Sequence, residues 1–305
     1  MTRFASDHLE TLLAAVDTGS FDGAARALSV TPSAVSQRVK AMEQLAGRVL
    51  LQRSAPIRPT AAGETVLRLA RQVRLLDQEA ARELDGGTAD VVPALALAVN
   101  ADSLATWFLD ALVEVTRRTE VVFDLHREDQ DRTAALLRDG TVVAAVTAER
   151  RPVQGCLAVP LGVDRYRAVA SPAFVAAHLP DARSDRETVD RLDRVPLVDF
   201  DRADDLQQGF LRRVLGHAPR SPRHFVPSSA DFARAIELGL GWGLLPEAQA
   251  LGALQAGRLV ELTPGRHAVV TLWWQHWNLA SPLLEAVTEA VRRVAGDRLR
   301  PIPGS

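Results

Sequence analysis

From Thr60 to about Asp85 the chain runs without proline and with glycine only at Gly63, while Val66, Leu69, Val73, Leu76 and Ala80 recur at alternating steps of three and four. That period predicts one long amphipathic helix, because residues three and four apart share a helix face. Arg68, Arg71, Arg74, Asp77, Glu79 and Arg82 fall on its other faces, and Leu84 lies just past the seam. Such a distribution suits a helix that pairs with a second copy of itself. DGGTAD at 85–90 then reads as a linker. The helix divides the chain into a small unit at 1–59, a linker and dimerisation helix at 60–88, and a larger unit at 89–305.

The small unit reads as helices closed by a two-stranded wing. Leu9, Leu12, Leu13 and Val16 keep helical spacing over 7–18, Gly19 stops that helix, and Ser20 caps a second one over 21–28. After the turn SVT, Thr31 is placed as N-cap and Pro32 at the first helical position of a third helix, which runs to about Leu45. Two short helices joined by so brief a turn form a helix-turn-helix pattern. VLLQR and IRPT flank Ser54-Ala55-Pro56 as the two strands of a wing.

Charge is unevenly spread across this unit. The whole chain has a formal charge of −2, yet residues 32–58 hold Arg38, Lys40, Arg48, Arg53 and Arg58 against Glu43 alone. Lys40 is the only lysine in an arginine-rich chain, which is a matter of composition rather than of this helix. On the third helix Val35, Val39 and Met42 form a core-facing stripe, and Ser33, Ser36 and Gln37 share the opposite face. Small polar residues on the first turns let a helix enter a DNA major groove, and flanking cations supply phosphate contacts. A solvated surface helix is the plainer reading of such residues. The tight preceding helix, the wing and the charge asymmetry together favour double-stranded DNA, with Thr31, Pro32, Ser33, Ser36, Gln37, Arg38 and Lys40 on the helix and Arg53 and Arg58 on the wing as candidate contacts.

Beyond residue 91 the pattern changes to strands alternating with helices: LALAV (95–99), VVFDL (121–125), VVAAV (142–146), RAVAS (167–171), PLVDF (196–200), HFVPS (224–228) and a closing strand within AVVTLWWQHW. Alternation of this kind predicts parallel βαβ units. One α/β lobe at about 91–163 and 267–300 and a second at about 164–266 would enclose a cleft. Ligands of open α/β sheets bind beyond the carboxyl ends of strands, where helix N-termini offer amides to an anion. Asn100-Ala101-Asp102-Ser103 follows the first strand, Glu128 and Asp129 the second, and Asp199 and Asp201 flank the end of PLVDF. Helix capping explains Asp102 and Ser103 equally well. An anion cradle beside several carboxylates suits a zwitterion that carries an extra cation.

Several classes are excluded or disfavoured. The lone Cys156 allows no intramolecular disulfide framework, the seven histidines show no H-E-x-x-H spacing, and G-x-S-x-G and Walker loops are absent. Gly239-Leu240-Gly241-Trp242-Gly243 follows a helix and enters a strand, the reverse of a dinucleotide loop, and reads as a helix C-terminal turn. Trp273, Trp274 and Trp277 read as packing or interface residues. No enzyme, cofactor or metal site is expected. With no apolar h-region and no apolar run of bilayer length, a soluble cytoplasmic protein is expected. Residues 91–305 alone would fit a secreted solute-binding protein, but the N-terminal unit argues against that.

Residues 7–66 closely resemble the N-terminal domain of LysR-type transcriptional regulators, through the alanine pair before the turn, the T-x-S-A-V-S-x-x-V core, the L-x-R strand and the T-x-A-G start of the linker helix. Gln44-Leu45-Ala46-Gly47-Arg48 departs modestly from the usual pattern there. The resemblance implies an α/β chain with an N-terminal all-α winged helix-turn-helix, a linker-helix homodimer or dimer of dimers, and a two-lobed periplasmic-binding-protein-like effector domain. VNADSLATWFL, AAVTAERRPVQGC, LVDFDRADDLQ, FVPSSADFARAIELGLGWGLLPE and LWWQHW are similar to the lysine-export and arginine-responsive subgroup, the LysG and ArgP regulators. That similarity implies lysine or arginine as effector, an exporter gene as target, and RNA polymerase as a further partner. On that basis Ser103 and Ser229 are assigned to the effector carboxylate, Asp102, Asp129, Asp199 and Asp201 to its cations, Trp107 to its aliphatic stem, and Thr147 to the same cleft. A different small carboxylate effector is the alternative.

Overall fold

The computed structural model describes residues 4–52, 54–84, 92–127, 130–180 and 185–303. Arg53 and Asp129, both expected at sites, lie outside the described residues.

Three helices, α1 (Ser6–Asp17), α2 (Phe21–Ala27) and α3 (Pro32–Ala46), precede the paired strands β1 (Leu51–Gln52) and β2 (Arg58–Pro59). Their ends follow local chemistry. The Gly23 amide donates to Ser20 Oγ at 3.0 Å, and the Ala34 amide donates to Thr31 Oγ1 at 3.2 Å. Gly47 closes α3 in the left-handed conformation (φ 65°). Between α2 and α3, Ser29 also takes a positive φ, 53°. Leu12, Val35, Val39, Met42 and Leu50 are fully or almost fully buried and form the core of this unit.

The linker helix α4 (Ala61–Leu84) belongs to two cores at once. Val66, Leu67 and Ala70 pack in the N-terminal core, whereas Leu75 is buried in the core of the large unit. The expected seam is therefore corrected in part. Val66 is buried within its own chain and Val73 packs against the same core, while Leu76, Ala80 and Leu84 face outward. The apolar period predicts one stripe, but the helix spends its N-terminal half on the α1–α3 unit.

In the large unit a seven-stranded sheet runs in the order β10-β6-β11-β5-β3-β4, with β9 also on β6. Strands β3 (Ala94–Val99), β4 (Val122–Arg127) and β5 (Ala144–Thr147) are parallel, as expected. The rest differs. β6 (Cys156–Ala170) and β11 (His267–Trp277) are long antiparallel partners, paired from Cys156↔Trp277 to Arg167↔His267 with a register shift at Leu272/Trp273. The expected boundary at 163/164 falls inside β6. β9 (Gly243–Pro246) and β10 (Val260–Glu261) add to β6, while β7 (Leu197–Asp199) and β8 (Arg223–Phe225) form a separate parallel pair. Only the first half of the unit has the parallel pairing that strand and helix alternation suggests.

Helices complete the two lobes. A turn α5 (Ala101–Ser103) continues through a π-helical turn (Leu104–Phe108) into α6 (Leu109–Thr116), and α7 is Gln130–Asp139. On the far side lie α8 (Pro172–His178), α9 (Asp185–Leu192), α10 (Leu206–Leu215), α11 (Ser229–Glu237) and α12 (Glu247–Gln255), and α13 (Pro282–Arg298) returns to the first lobe. Gly239 has a positive φ of 86° just past α11, the helix-terminating role read from the sequence. Trp274 and Trp277 are buried in the first lobe, and Trp274 Nε1 donates to Thr288 Oγ1 at 3.0 Å. No helix among the described residues is long and apolar enough to cross a membrane.

Gly63 shows how tightly α4 meets the wing. A Cβ there would lie 2.0 Å from the Leu50 carbonyl oxygen, a backbone atom that cannot step aside. Gly63→Ala should lower stability by about 1–3 kcal/mol through forced backbone movement, read as a lower midpoint in urea unfolding.

Candidate functional site

The candidate DNA-binding face begins with the cap of α3. Thr31, Pro32, Ser33, Gln37 and Lys40 are exposed, Ser36 is half-buried, and Thr31 Oγ1 and Ser33 Oγ share a hydrogen bond of 2.9 Å. The stripe of Val35, Val39 and Met42 holds the opposite face against the core, so the polar face is turned outward by packing. Glu43, the lone acid of the basic island, accepts from the Leu50 amide at 2.9 Å and thereby ties α3 to the wing. Arg58 is exposed on β2. Arg38 departs from expectation: its guanidinium folds back on α1, with Nη1 donating to Thr11 Oγ1 at 3.2 Å and Nη2 3.2 Å from Asp7. It braces the first helix against the third rather than extending outward.

The second site is a cavity of about 620 Å³ between the lobes. Its first wall is the carboxyl end of β3 with Asn100 to Asp102, joined by Thr147 from β5 and Thr133 from α7. Tyr166 from β6 and Val270 and Leu272 from β11 lie on its floor, and the loop from Phe200 to Gln207 with Phe232 closes the other side. The first amides of a helix have no intrahelical acceptor, so the start of α5 presents free N–H groups. The loop carboxylates are held in place by the backbone. Asp201 Oδ1 accepts from the Ala203 and Asp204 amides at 2.7 and 2.9 Å, and Asp204 Oδ1 accepts from the Leu206 amide at 2.9 Å.

Asp102 joins three elements. Its carboxylate accepts from Tyr166 OH at 2.8 Å and from Ser229 Oγ at 2.7 Å, and Gln249 Nε2 in turn donates to Ser229 Oγ at 2.9 Å. Asp102 and Ser229, expected at opposite ends of an effector, are bonded to each other across the cleft. Asp201 and Thr147 line the cavity as expected. Ser103, Trp107 and Asp199 are buried and are not among its lining residues. Trp107 packs edge-on against Phe108 in the core of the first lobe, which corrects its assignment to an effector stem. Asp199 pairs with Arg223, correcting its assignment to a free cation contact. Asp199 stands at a strand end and Trp107 on the helical segment after β3, and the sequence does not say which side of either element meets the cavity.

Burial sets the protonation of this cluster. Desolvation raises the Asp102 pKa, opposed by the hydrogen bonds from Ser229 and Tyr166. Asp164, buried on β6, is pushed up to about 7 by desolvation first and then by the nearby Asp102 charge. Asp204 is raised to about 6 by desolvation and by Asp199 and Asp102. Asp204 and Asp205 follow Asp201 in the acidic run that the sequence places after PLVDF, and both line the cavity. Sequence reasoning missed Tyr166 in the lining and Asp164 buried near Asp102, since both lie within a strand whose crossing between lobes no local pattern reveals. Among the described residues no group of three or more histidine, cysteine, aspartate or glutamate side chains is placed to hold a metal ion.

The family model described as bacterial regulatory helix-turn-helix protein, lysR family, matches residues 6–64, and the LysR substrate binding domain matches residues 89–296. The chain belongs to the LysR family. This LysR-type DNA-binding regulator is 44% identical over 295 residues to the HTH-type transcriptional regulator LysG of Mycobacterium tuberculosis, covering 96% of this chain and 94% of the relative. The crystal structure of ArgP from Mycobacterium tuberculosis superimposes with a TM-score of 0.88 at 42% identity, covering 97% of this chain and 98% of that one. Full-length LysG from Corynebacterium glutamicum with bound effector Arg gives 0.83 at 42% identity, covering 98% and 100%. The LysR regulator thus carries a helix-turn-helix and an effector-binding domain on one chain, and is no enzyme.

Two outcomes follow from these geometries. Gln37→Ala should alter which operator bases are preferred, whereas Lys40→Ala should weaken binding to all DNA and lower the salt dependence by about one phosphate contact, both read by fluorescence anisotropy. Asp164 has a folded pKa above its unfolded value, so its stabilising contribution is present at low pH and is lost as pH rises from about 4 towards 7. Asp164→Asn should remove about 2–3 kcal/mol of the stability difference between pH 5 and pH 8 in denaturant unfolding.

Proposed function

We propose that the cleft takes a basic amino acid, lysine or arginine, and that its occupation alters regulation of an amino-acid exporter gene. The observation that carries this reading is the charge of the cavity: among its described lining residues Asp102, Asp201, Asp204 and Asp205 are acidic, against the single cation Arg127. The effector carboxylate would meet the amides that open α5, its cationic groups would face Asp201 and Asp204, and Thr147 would contribute a hydroxyl. Phe200, Phe232, Val270 and Leu272 offer the apolar surface for the aliphatic stem. The arginine named as effector in the C. glutamicum LysG structure supports the same chemistry.

The protein would act as a homodimer or dimer of dimers through the outward residues of α4, presenting two α3 helices to successive major grooves of a promoter, with RNA polymerase as a further partner. Arg127 in the lining supports a second reading, a different small carboxylate effector without an extra cation.

Calorimetry separates the two. Lysine or arginine should bind and glutamate should not, and Asp204→Asn should weaken the basic ligand about ten-fold or more. Because burial raises Asp204 to about 6, its ionised form is lost below that pH, and affinity for the cation should fall about four-fold or more between pH 7.5 and 5.5 in the wild type and less steeply in Asp204→Asn, where Asp164 still titrates. Binding of glutamate in place of lysine and arginine would establish the second reading instead.

A further inference from the structure

α7 reaches from the cleft to the linker helix. Thr133, near its N-terminal end, lines the cavity, and Asp139, its last residue, meets α4. There Arg71 Nη1 donates to the Asp139 carbonyl at 2.8 Å. The last carbonyls of a helix lack intrahelical donors and carry the negative end of its dipole, so a guanidinium is a favourable cap at that point. The adjoining backbone is in close contact as well: a Cβ at Gly140, whose φ is 82°, would lie 3.0 Å from Arg68 Cα. α7 therefore bears directly on α4.

The same guanidinium also faces the DNA-binding unit. Arg71 Nη2 lies 3.6 Å from Asp17 Oδ1, and Asp17 is the last residue of α1. Arg71 follows Ala70 in the N-terminal core and precedes Leu75 in the large one, with Val73 between them still packed against the N-terminal core. On the large-unit side α4 is anchored separately. Arg68 Nη1 donates to the Gln154 carbonyl at 2.9 Å, and Glu79 Oε1 accepts from Ser281 Oγ at 2.6 Å and the Leu283 amide at 3.1 Å, at the start of α13. With those anchors holding α4 to the first lobe, Arg71 is the group that touches the end of a cleft-lining helix and the end of a DNA-binding-unit helix together.

We propose that Arg71 is the positioning residue that couples the cleft to the DNA-binding unit, with α7 as the strut between them. A shift of α7 at its cavity end moves the Asp139 carbonyl, and the planar guanidinium, hydrogen-bonded to that carbonyl and ion-paired with Asp17, which Arg74 Nη1 also approaches at 3.9 Å, transfers that shift to Asp17 and the orientation of α1. Lysine can supply charge to one partner but not the two-sided fork. As an account of the response to a ligand, this rests on the reading of the cleft as the effector site; as a mechanical link between Thr133 and α1, it does not.

The test uses the full-length protein, arginine as probe, and promoter DNA binding by fluorescence anisotropy. Arg71→Ala should keep arginine affinity in calorimetry within about two-fold of wild type, while the ratio of DNA affinities with and without arginine collapses to within about two-fold of one; Arg71→Lys should fall between. A cycle made without any ligand reads the strut itself: Thr133→Val near the N-terminal end of α7 and Arg71→Ala on α4 at its C-terminal end should change DNA affinity non-additively by more than about two-fold, with thermal melts checking that each variant folds. Additive effects in the cycle, or an Arg71→Ala protein that responds to arginine as wild type does, would overturn the proposal. Failure of the wild type to bind lysine or arginine would sink the effector reading alone and leave the ligand-free cycle to decide the coupling.

Discussion

The antiparallel pairing of β6 with β11 is the constraint on which the large unit depends. These two strands run from the first lobe into the second, and every other strand of the sheet attaches to one of them directly or through β5. Because side chains alternate along a strand, Asp164 and Tyr166 share one face of β6. Tyr166 reaches the cavity floor, and Asp164 is buried close to the Asp102 charge. The cleft is thus built on the crossing rather than between two separate bodies. Placing carboxylates there raises their pKa values, since burial opposes ionisation and the groups repel one another. A cation entering the cavity relieves both costs.

The Asp102 cluster follows from the same crossing. Asp102 belongs to the first lobe, Ser229 and Gln249 to the second, and Tyr166 to the shared strand, so one carboxylate draws three parts of the unit together. Its partners satisfy a charge that burial would otherwise make costly. On the reverse side of β6, Glu247 meets Arg165, Arg167 and Arg300, whose hydrogen bonds outweigh its desolvation and lower its pKa to about 2. Adjacent residues of one strand therefore serve opposite electrostatic surroundings.

The N-terminal unit was legible almost to the residue. Its signals are local: the Ser20 and Thr31 caps, Pro32 at the start of a helix, the stripe of Val35, Val39 and Met42, and the turn between two wing strands each depend on neighbours a few positions away. What escaped was long-range even there. Arg38 has the type and position of a phosphate contact, but its partners Asp7 and Thr11 lie on another helix, and no periodicity reports them. In α4 the repeat of three and four was correctly helical, yet it could not say that Val66 would be used inside the chain while Leu76 faced out.

Sequence by itself determined the helix-turn-helix with its wing, the long linker helix and the parallel first half of the sheet, because these rest on caps, turns and spacing within single elements. Tertiary structure alone decided which acids share the cleft, that Trp107 and Asp199 are withdrawn from it, and that Asp102 bonds across it. Those outcomes depend on which face of a strand or helix meets its neighbour. A strand that crosses from one lobe to the other carries Tyr166 into the site and Asp164 close behind it, and nothing adjacent to them in sequence announces either.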